Sequence, residues 1–248
     1  MIVLKSPAEI EKMRGAGKIV AEILAILKER VVPGVTLLEL DAISEREALK
    51  RKARPAFKGY SGFPYSLCCS VNEQVVHGMP SKRELVPGDI VSLDFGVIYN
   101  GFYGDAAYTF PVGPVSASAG RLLAVTEESL YAAIEKAQVG NRLSDVSHAV
   151  QSYVEERGFS VVRDFVGHGI GKELHEGPQI PNFGAPGKGP KLRAGMVLAI
   201  EPMINEKGYE VRVLEDGWTA VTSDGGLSAH FEHTVAVTDD GPLILSRI

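Results

Sequence analysis

Asn100-Gly101 stands between two runs rich in β-branched and aromatic residues, Ile90 to Ile98 and Phe102 to Phe110. That pattern is the strongest short-range signal for a β-hairpin. With those two residues as the turn, Tyr99 faces Phe102, Asp94 faces Ala107, and Asp105 becomes the diagonal neighbour of Asp94. Side chains alternate faces along a strand, so the two carboxylates share a face and lie close enough for one small site. Two like charges among apolar strands repel each other and are costly to bury, and a cation between them relieves both costs. The alternative for either Asp taken singly is a turn cap or an exposed sheet edge.

The rest of the chain must cover this hairpin. Ser6-Pro7-Ala8-Glu9 combines a capping box with proline at the first helical position, and an apolar stripe from Ile10 to Leu27 predicts a helix to about Arg30. Thr36 and Glu39 form a second capping box that starts a helix to about Lys52. A Gly, Pro and aromatic-rich loop from Arg54 to Pro64 precedes a short strand over Ser66 to Val71, and further helices are expected over 118–137 and 143–158. At 248 residues the chain suits one domain or two fused halves. Net charge is −5 with Lys and Arg scattered, which gives no support to a nucleic-acid or membrane-surface role. No signal-peptide pattern opens the chain, and no apolar run approaches the roughly 18 residues of a membrane span, so a cytoplasmic location is expected. The two cysteines, Cys68 and Cys69, are adjacent, which is poor geometry for a mutual disulfide.

The second half echoes the first. PGVTLLELDAI (33–43) matches VGNRLSDVSHA (139–149), and LVPGDIVSLDF (85–95) matches LRAGMVLAIEP (192–202), at offsets of 106 (Gly34 to Gly140) and 107 (Leu85 to Leu192). Two related halves, about 1–112 and 113–248, would form a single pseudo-symmetric α+β domain with helices covering one sheet face. The second match sets Glu201 on Asp94 and so brings Glu201 to the same site.

Glu201 ends the apolar run MVLAI where a strand would deliver it to a central site, and Glu232 stands in the strand-like HFEHTVAVT. Alternation along that strand would turn His230 and His233 away from Glu232. His148 reads as a helix-surface residue. His77 precedes the bend at Gly78-Met79-Pro80, where a functional and a turn role are equally open. His168, in VGHGIG, is fixed at a tight bend by flanking glycines, and His175 follows in the same glycine-bounded loop. Four carboxylates with one or two imidazoles suit Mn, Fe(II), Co or Zn, and their charge matches two divalent ions better than one.

These residues, in this order and spacing, resemble those of the type I methionine aminopeptidases, and the resemblance runs over essentially the whole chain. It implies the pita-bread fold shared with creatinase, a pseudo-two-fold repeat of helices packed on one antiparallel β-sheet. It also implies metal ligands at Asp94, Asp105, His168, Glu201 and Glu232, with Asp105 and Glu232 bridging two ions. In such enzymes an activated water attacks the first peptide carbonyl. Glu201 would then shuttle its proton, His175 would stabilise the oxyanion, and His77 would contact the scissile nitrogen. Phe57, Tyr60, Phe63, Cys68, Leu174 and Trp218 would line the methionine pocket, with Phe63 standing where tyrosine is common and Leu174 where an aromatic is common. The family removes initiator methionine before a small second residue.

No long insertion fits between Glu201 and Glu232, and no zinc-finger extension precedes the first helix, so the chain resembles the minimal bacterial-type form. Nascent chains are the expected partners and the chain is expected to be a monomer; ribosome docking fits the task without a basic patch to mark it. One rival is a proline-specific peptidase of the same fold, such as prolidase or aminopeptidase P, which normally carries a separate N-terminal domain. Another is a binding module that keeps the fold without catalysis. All five ligand types being present argues against the latter.

Overall fold

The computed structural model describes residues 2–247. Helix α1 (Pro7–Lys28) starts at the expected box: Ser6 Oγ accepts from Glu9 N at 3.3 Å, and Ser6 N donates to Glu9 Oε2 at 2.9 Å. Helix α2 (Leu37–Lys50) repeats the device with Thr36 and Glu39. Helices α3 (Ala117–Ile134) and α4 (Leu143–Glu155) follow in the second half, each ending about three residues before the expected point. Beyond Ile134 the chain tightens into i to i+3 bonds, Lys136 N to Ala133 O and Ala137 N to Ile134 O.

The hairpin pairs Ile90–Tyr99 with Phe102–Pro111 in an unbroken antiparallel ladder, Asp94 opposite Ala107 and Asp105 opposite Gly96. Asn100 and Gly101 both take positive φ, 50° and 79°, as the tight turn requires. Helix α1 lies directly on this hairpin: a Cβ at Gly104 would sit 2.7 Å from Gly17 N, so only glycine permits the approach. Strands Arg54–Pro55 and Cys68–Val71 flank Ile90–Tyr99. The second of these begins two residues later than expected, because Ser66 N and Leu67 N donate to the Asp41 carboxylate instead of to a ladder.

The strands expected as one sheet carry their ladders in four segments, and every named strand pair is antiparallel. The largest has the order Gly241–Ile244, His233–Thr238, Val197–Ile200, Gly167–Gly169, Glu176–Ile180. One core packs α1 and α2 on the hairpin around Phe95, Leu93 and Leu40; another packs α3 and α4 on the second-half strands around Leu198, Val235 and Val150. Burying a side chain such as Phe95 contributes about 2–3 kcal/mol.

The stretches that echo each other in sequence make matching bonds. Gly34 N donates to Leu85 O and Gly140 N to Leu192 O, while Leu37 N donates to Arg83 O and Leu143 N to Pro190 O. The halves meet along the hairpin. Glu232 N donates to Ala107 O at 2.8 Å, and Thr234 Oγ1 donates to Asp105 O at 2.7 Å while accepting from Asp105 N at 3.1 Å.

Candidate active site and metal centre

Where the halves meet, a cavity of about 340 Å³ opens, lined by all of Asp94, Asp105, His168, Glu201 and Glu232. Asp94 and Asp105 arrive from within the hairpin ladder. Glu201 follows directly on strand Val197–Ile200, its carbonyl held by Asn182 Nδ2 at 2.9 Å. Ligand atoms of Asp105, His168 and Glu232 all lie within 4.8 Å of one another, and Glu201 Oε1 is 3.5 Å from His168 Nε2.

His168 is not at a bend, as its glycines suggested. It sits in strand Gly167–Gly169, paired with Ala199 of the neighbouring strand. The glycines serve close approach instead: a Cβ at Gly167 would collide with Ala199 O, and one at Gly169 with Gly177 O. His168 Nδ1 lies 2.9 Å from Gly169 O. A carbonyl only accepts, so Nδ1 carries the proton, and Nε2 presents a lone pair to the acidic cluster. Burial pushes the ring down to about 4, which keeps it neutral.

Glu232 and His230 correct the expected alternation. The chain leaves strand Ser228–His230 and re-enters pairing at His233–Thr238, so Phe231 and Glu232 fall in a break between two strands. Alternation does not carry across that break. His230 therefore points into the cavity, its Nε2 3.8 Å from Glu201 Oε2, and burial drives its ring down to about 3. His233 does face away, toward Tyr108 and Ser246. His148 lies outside this cavity on α4, half-buried against Gly184 O.

The carboxylates are held at high energy. Burial lifts Asp94 to about 7, and burial followed by repulsion from neighbouring carboxylates lifts Asp105, Glu201 and Glu232 well above the ordinary carboxylate range. Asp94 Oδ1, Asp105 Oδ1 and Glu232 Oε1 are buried without any hydrogen-bond donor. Buried anionic oxygens with no donor are rare and costly. A divalent cation supplies what they lack, so the donor set fits the metal that its chemistry suggested.

Around this acidic floor stand the other expected residues. Phe57, Tyr60, Phe63, Cys68, His77, Leu174, His175 and Trp218 all line the cavity. Phe63 and Trp218 meet edge-on at 5.1 Å, His175 Nδ1 lies 2.6 Å from Tyr60 Oη, and the His168 and His175 rings are 4.3 Å apart. Burial lowers His175 and takes His77 down to about 4. His77 adopts φ 59°, a strained conformation for a non-glycine residue, and packs edge-on against Phe165. Ser61, Val76, Asp164, Phe165, Val166, Met203 and His230 complete the wall; alternation alone would turn His230 away, and nothing in the sequence points the others inward. Phe165 and Met203 lie next to motifs, yet nothing in their spacing points inward.

Residues 11–239 match metallopeptidase family M24. The chain is 60% identical over 248 residues to methionine aminopeptidase of Clostridium perfringens, covering 100% of both. The crystal structure of methionine aminopeptidase from Thermotoga maritima superposes with a TM-score of 0.99 at 52% identity, again covering 100% of each chain. Prolidase from Pyrococcus horikoshii shares the fold alone, with a TM-score of 0.81 at 23% identity over 100% of this chain and 64% of its own. The chain therefore belongs to metallopeptidase family M24 and, within it, to the methionine aminopeptidases. It is a metal-dependent hydrolase with the pita-bread fold. No helix among the described residues is long and apolar enough to cross a membrane.

Proposed function

We propose that this chain removes the N-terminal methionine from peptides and nascent proteins by hydrolysing the first peptide bond, preferring a small second residue. The observation that carries this reading is the set of donorless buried carboxylate oxygens at the floor of an aromatic-walled cavity. Asp94, Asp105, His168, Glu201 and Glu232 would hold two divalent ions, Mn, Fe(II), Co or Zn. When bound, these ions would supply Lewis acidity to the scissile carbonyl and an activated water at neutral pH.

The chain's own groups do the rest. Glu201, its carboxyl raised by burial and facing the cavity, would take and return a proton during hydrolysis. In the tautomer whose Nδ1 accepts from the Tyr60 hydroxyl, His175 keeps Nε2–H free to donate to the substrate carbonyl as it gains charge. Neutral His77 faces the same cavity and would contact the amide nitrogen. Phe57, Tyr60, Phe63, Cys68, Leu174 and Trp218 offer apolar and aromatic surface to an unbranched thioether. The chain acts as a single catalytic domain of two related halves, about 1–112 and 113–248, a division supported by the matched bonds of Gly34 and Gly140. It works as a cytoplasmic monomer on chains emerging from synthesis.

Purified protein reconstituted with each metal, assayed on Met-Ala-X, Met-Leu-X and Xaa-Pro peptides, tests the reading. Metal-dependent cleavage of Met-Ala-X well above Met-Leu-X is expected. Cleavage of Xaa-Pro peptides alone would overturn it in favour of a proline-specific peptidase.

A further inference from the structure

The loop from Gly171 to His175 brings Leu174 and His175 to the cavity, yet it contributes little ladder pairing of its own. Beside Tyr103 N, which donates to Gly171 O at 2.9 Å, its support comes from Glu176. One carboxylate oxygen, Oε1, accepts from Lys172 N at 2.8 Å. The other, Oε2, meets Lys5 Nζ at 2.5 Å, with the two side chains only 10% and 4% exposed. Lys5 is itself anchored: its backbone N donates to Gly195 O at 2.7 Å, and its Nζ also reaches Val3 O at 3.2 Å. Gly171 lies flat against the pair, since a Cβ there would run into Glu176 Oε1 and the end of the Lys5 side chain. The segment before α1 also bridges Ile2 to Gly177.

We propose that Lys5 and Glu176 are positioning residues for the reaction, a buried strut through which the segment preceding α1 sets the loop bearing His175. The proposal rests on the role given to His175 above. A buried charge pair is weak evidence for added stability, because desolvation offsets its attraction. Its value here is geometric. One carboxylate both caps the loop's amides and is pinned from the far side by a cation 171 positions away in the chain. His175 would act on the developing oxyanion, so a loosened loop should reduce turnover more than ground-state binding.

The test compares the metal-loaded full chain with Lys5→Met, Glu176→Gln and the double variant. Glu176→Gln keeps an acceptor for the loop amides while removing the charge pair, so it reports even where Lys5→Met folds poorly. In Glu176→Gln, kcat on Met-Ala-X should fall about 10- to 100-fold. KM should change by no more than about 3-fold, because Leu174 is one of several residues lining the methionine pocket whereas His175 would meet the developing oxyanion. Hydrogen exchange at the Lys172 and Glu173 amides should quicken at least about tenfold, the mark of local opening, while metal uptake is unchanged. The double variant should be no worse than the poorer single one, since both break one interaction. Unchanged kcat and exchange, fully additive losses, or a kcat loss matched by loss of metal or of global folding would each overturn the proposal. Exchange is read without substrate; a wild-type chain inactive on every Met peptide would sink the assigned function and leave the strut to be judged by exchange alone.

Discussion

The two halves deliver their carboxylates to the site by different means. In the first half Asp94 and Asp105 sit inside a ten-residue ladder with no register break from Ile90–Pro111 to Tyr99–Phe102. In the second, Glu201 follows the last residue of strand Val197–Ile200, and Glu232 lies in the gap between Ser228–His230 and His233–Thr238. A ladder fixes side chains by period and register, so the facing of the first pair follows from secondary structure. The second pair is positioned by tertiary bonds: Asn182 on the Glu201 carbonyl, and Ala107 and Thr234 along the hairpin. Local rules govern one side of the site and long-range packing governs the other.

The harshest way to break that contrast is to attack the register. Deleting Gly101 removes a residue at positive φ and slips the ladder by one, sending Asp94 and Asp105 to opposite faces. Metal uptake measured by elemental analysis should vanish; retained uptake of two ions would show that the register does not set the pair. On the other side, Glu201→Gln leaves the ladder intact and removes a proton acceptor. Turnover should fall about 10²- to 10⁴-fold, and steady-state kinetics at saturating metal would read it.

A smaller effect probes the close approach beneath His168. A Cβ at Gly167 meets Ala199 O and approaches Glu201 Cγ at 3.4 Å. Gly167→Ala should therefore cost about 1–3 kcal/mol in denaturant unfolding and weaken metal binding, whereas Gly101 deletion spares this strand.

The smallest effect is in pH. Burial lifts Asp94 to about 7, so in metal-free protein the folded chain keeps a proton that the unfolded chain loses near pH 4. The folded state then binds more protons, and stability falls as pH rises between those values. His77, His168 and His233, lowered by burial to about 4, and His230, lowered to about 3, act in the opposite sense. They raise stability with pH up to about 6.5, where unfolded histidine is half deprotonated, and progressively less above it. The melting temperature of chelated protein, taken relative to that of Asp94→Asn so that the histidines cancel, should drop as pH rises from about 5 to about 7, and Mn²⁺ should remove the drop; a flat difference would mean that the Asp94 carboxyl is not desolvated.

The contrast also explains what the sequence made legible. Asn100-Gly101 states its own register, so the partner of Asp94 could be read without a structure, and the capping boxes at Ser6 and Thr36 start their helices where expected. His230 could not be read, because alternation fails at a strand break that no local residue announces. The glycines around His168 signalled a close approach correctly and its shape wrongly: a bend and a crowded strand both demand a missing Cβ, and only the neighbouring Ala199 carbonyl tells them apart. Lys5 and Glu176 had no local signature at all, since they meet across 171 positions. The division of the strands into four sheets likewise follows from long-range pairing and not from local pattern.

The central claim is that both halves jointly build one metal site from Asp94 and Asp105 on one side and Glu201 and Glu232 on the other. Calorimetric titration of chelated protein with Mn²⁺, run beside Asp94→Asn and Glu232→Gln, tests it most directly. The account predicts two ions per chain in the parent protein, with the count or affinity reduced by either substitution alone. Uptake unaffected by one of the two substitutions would contradict it, because the halves would then hold metal independently or not at all.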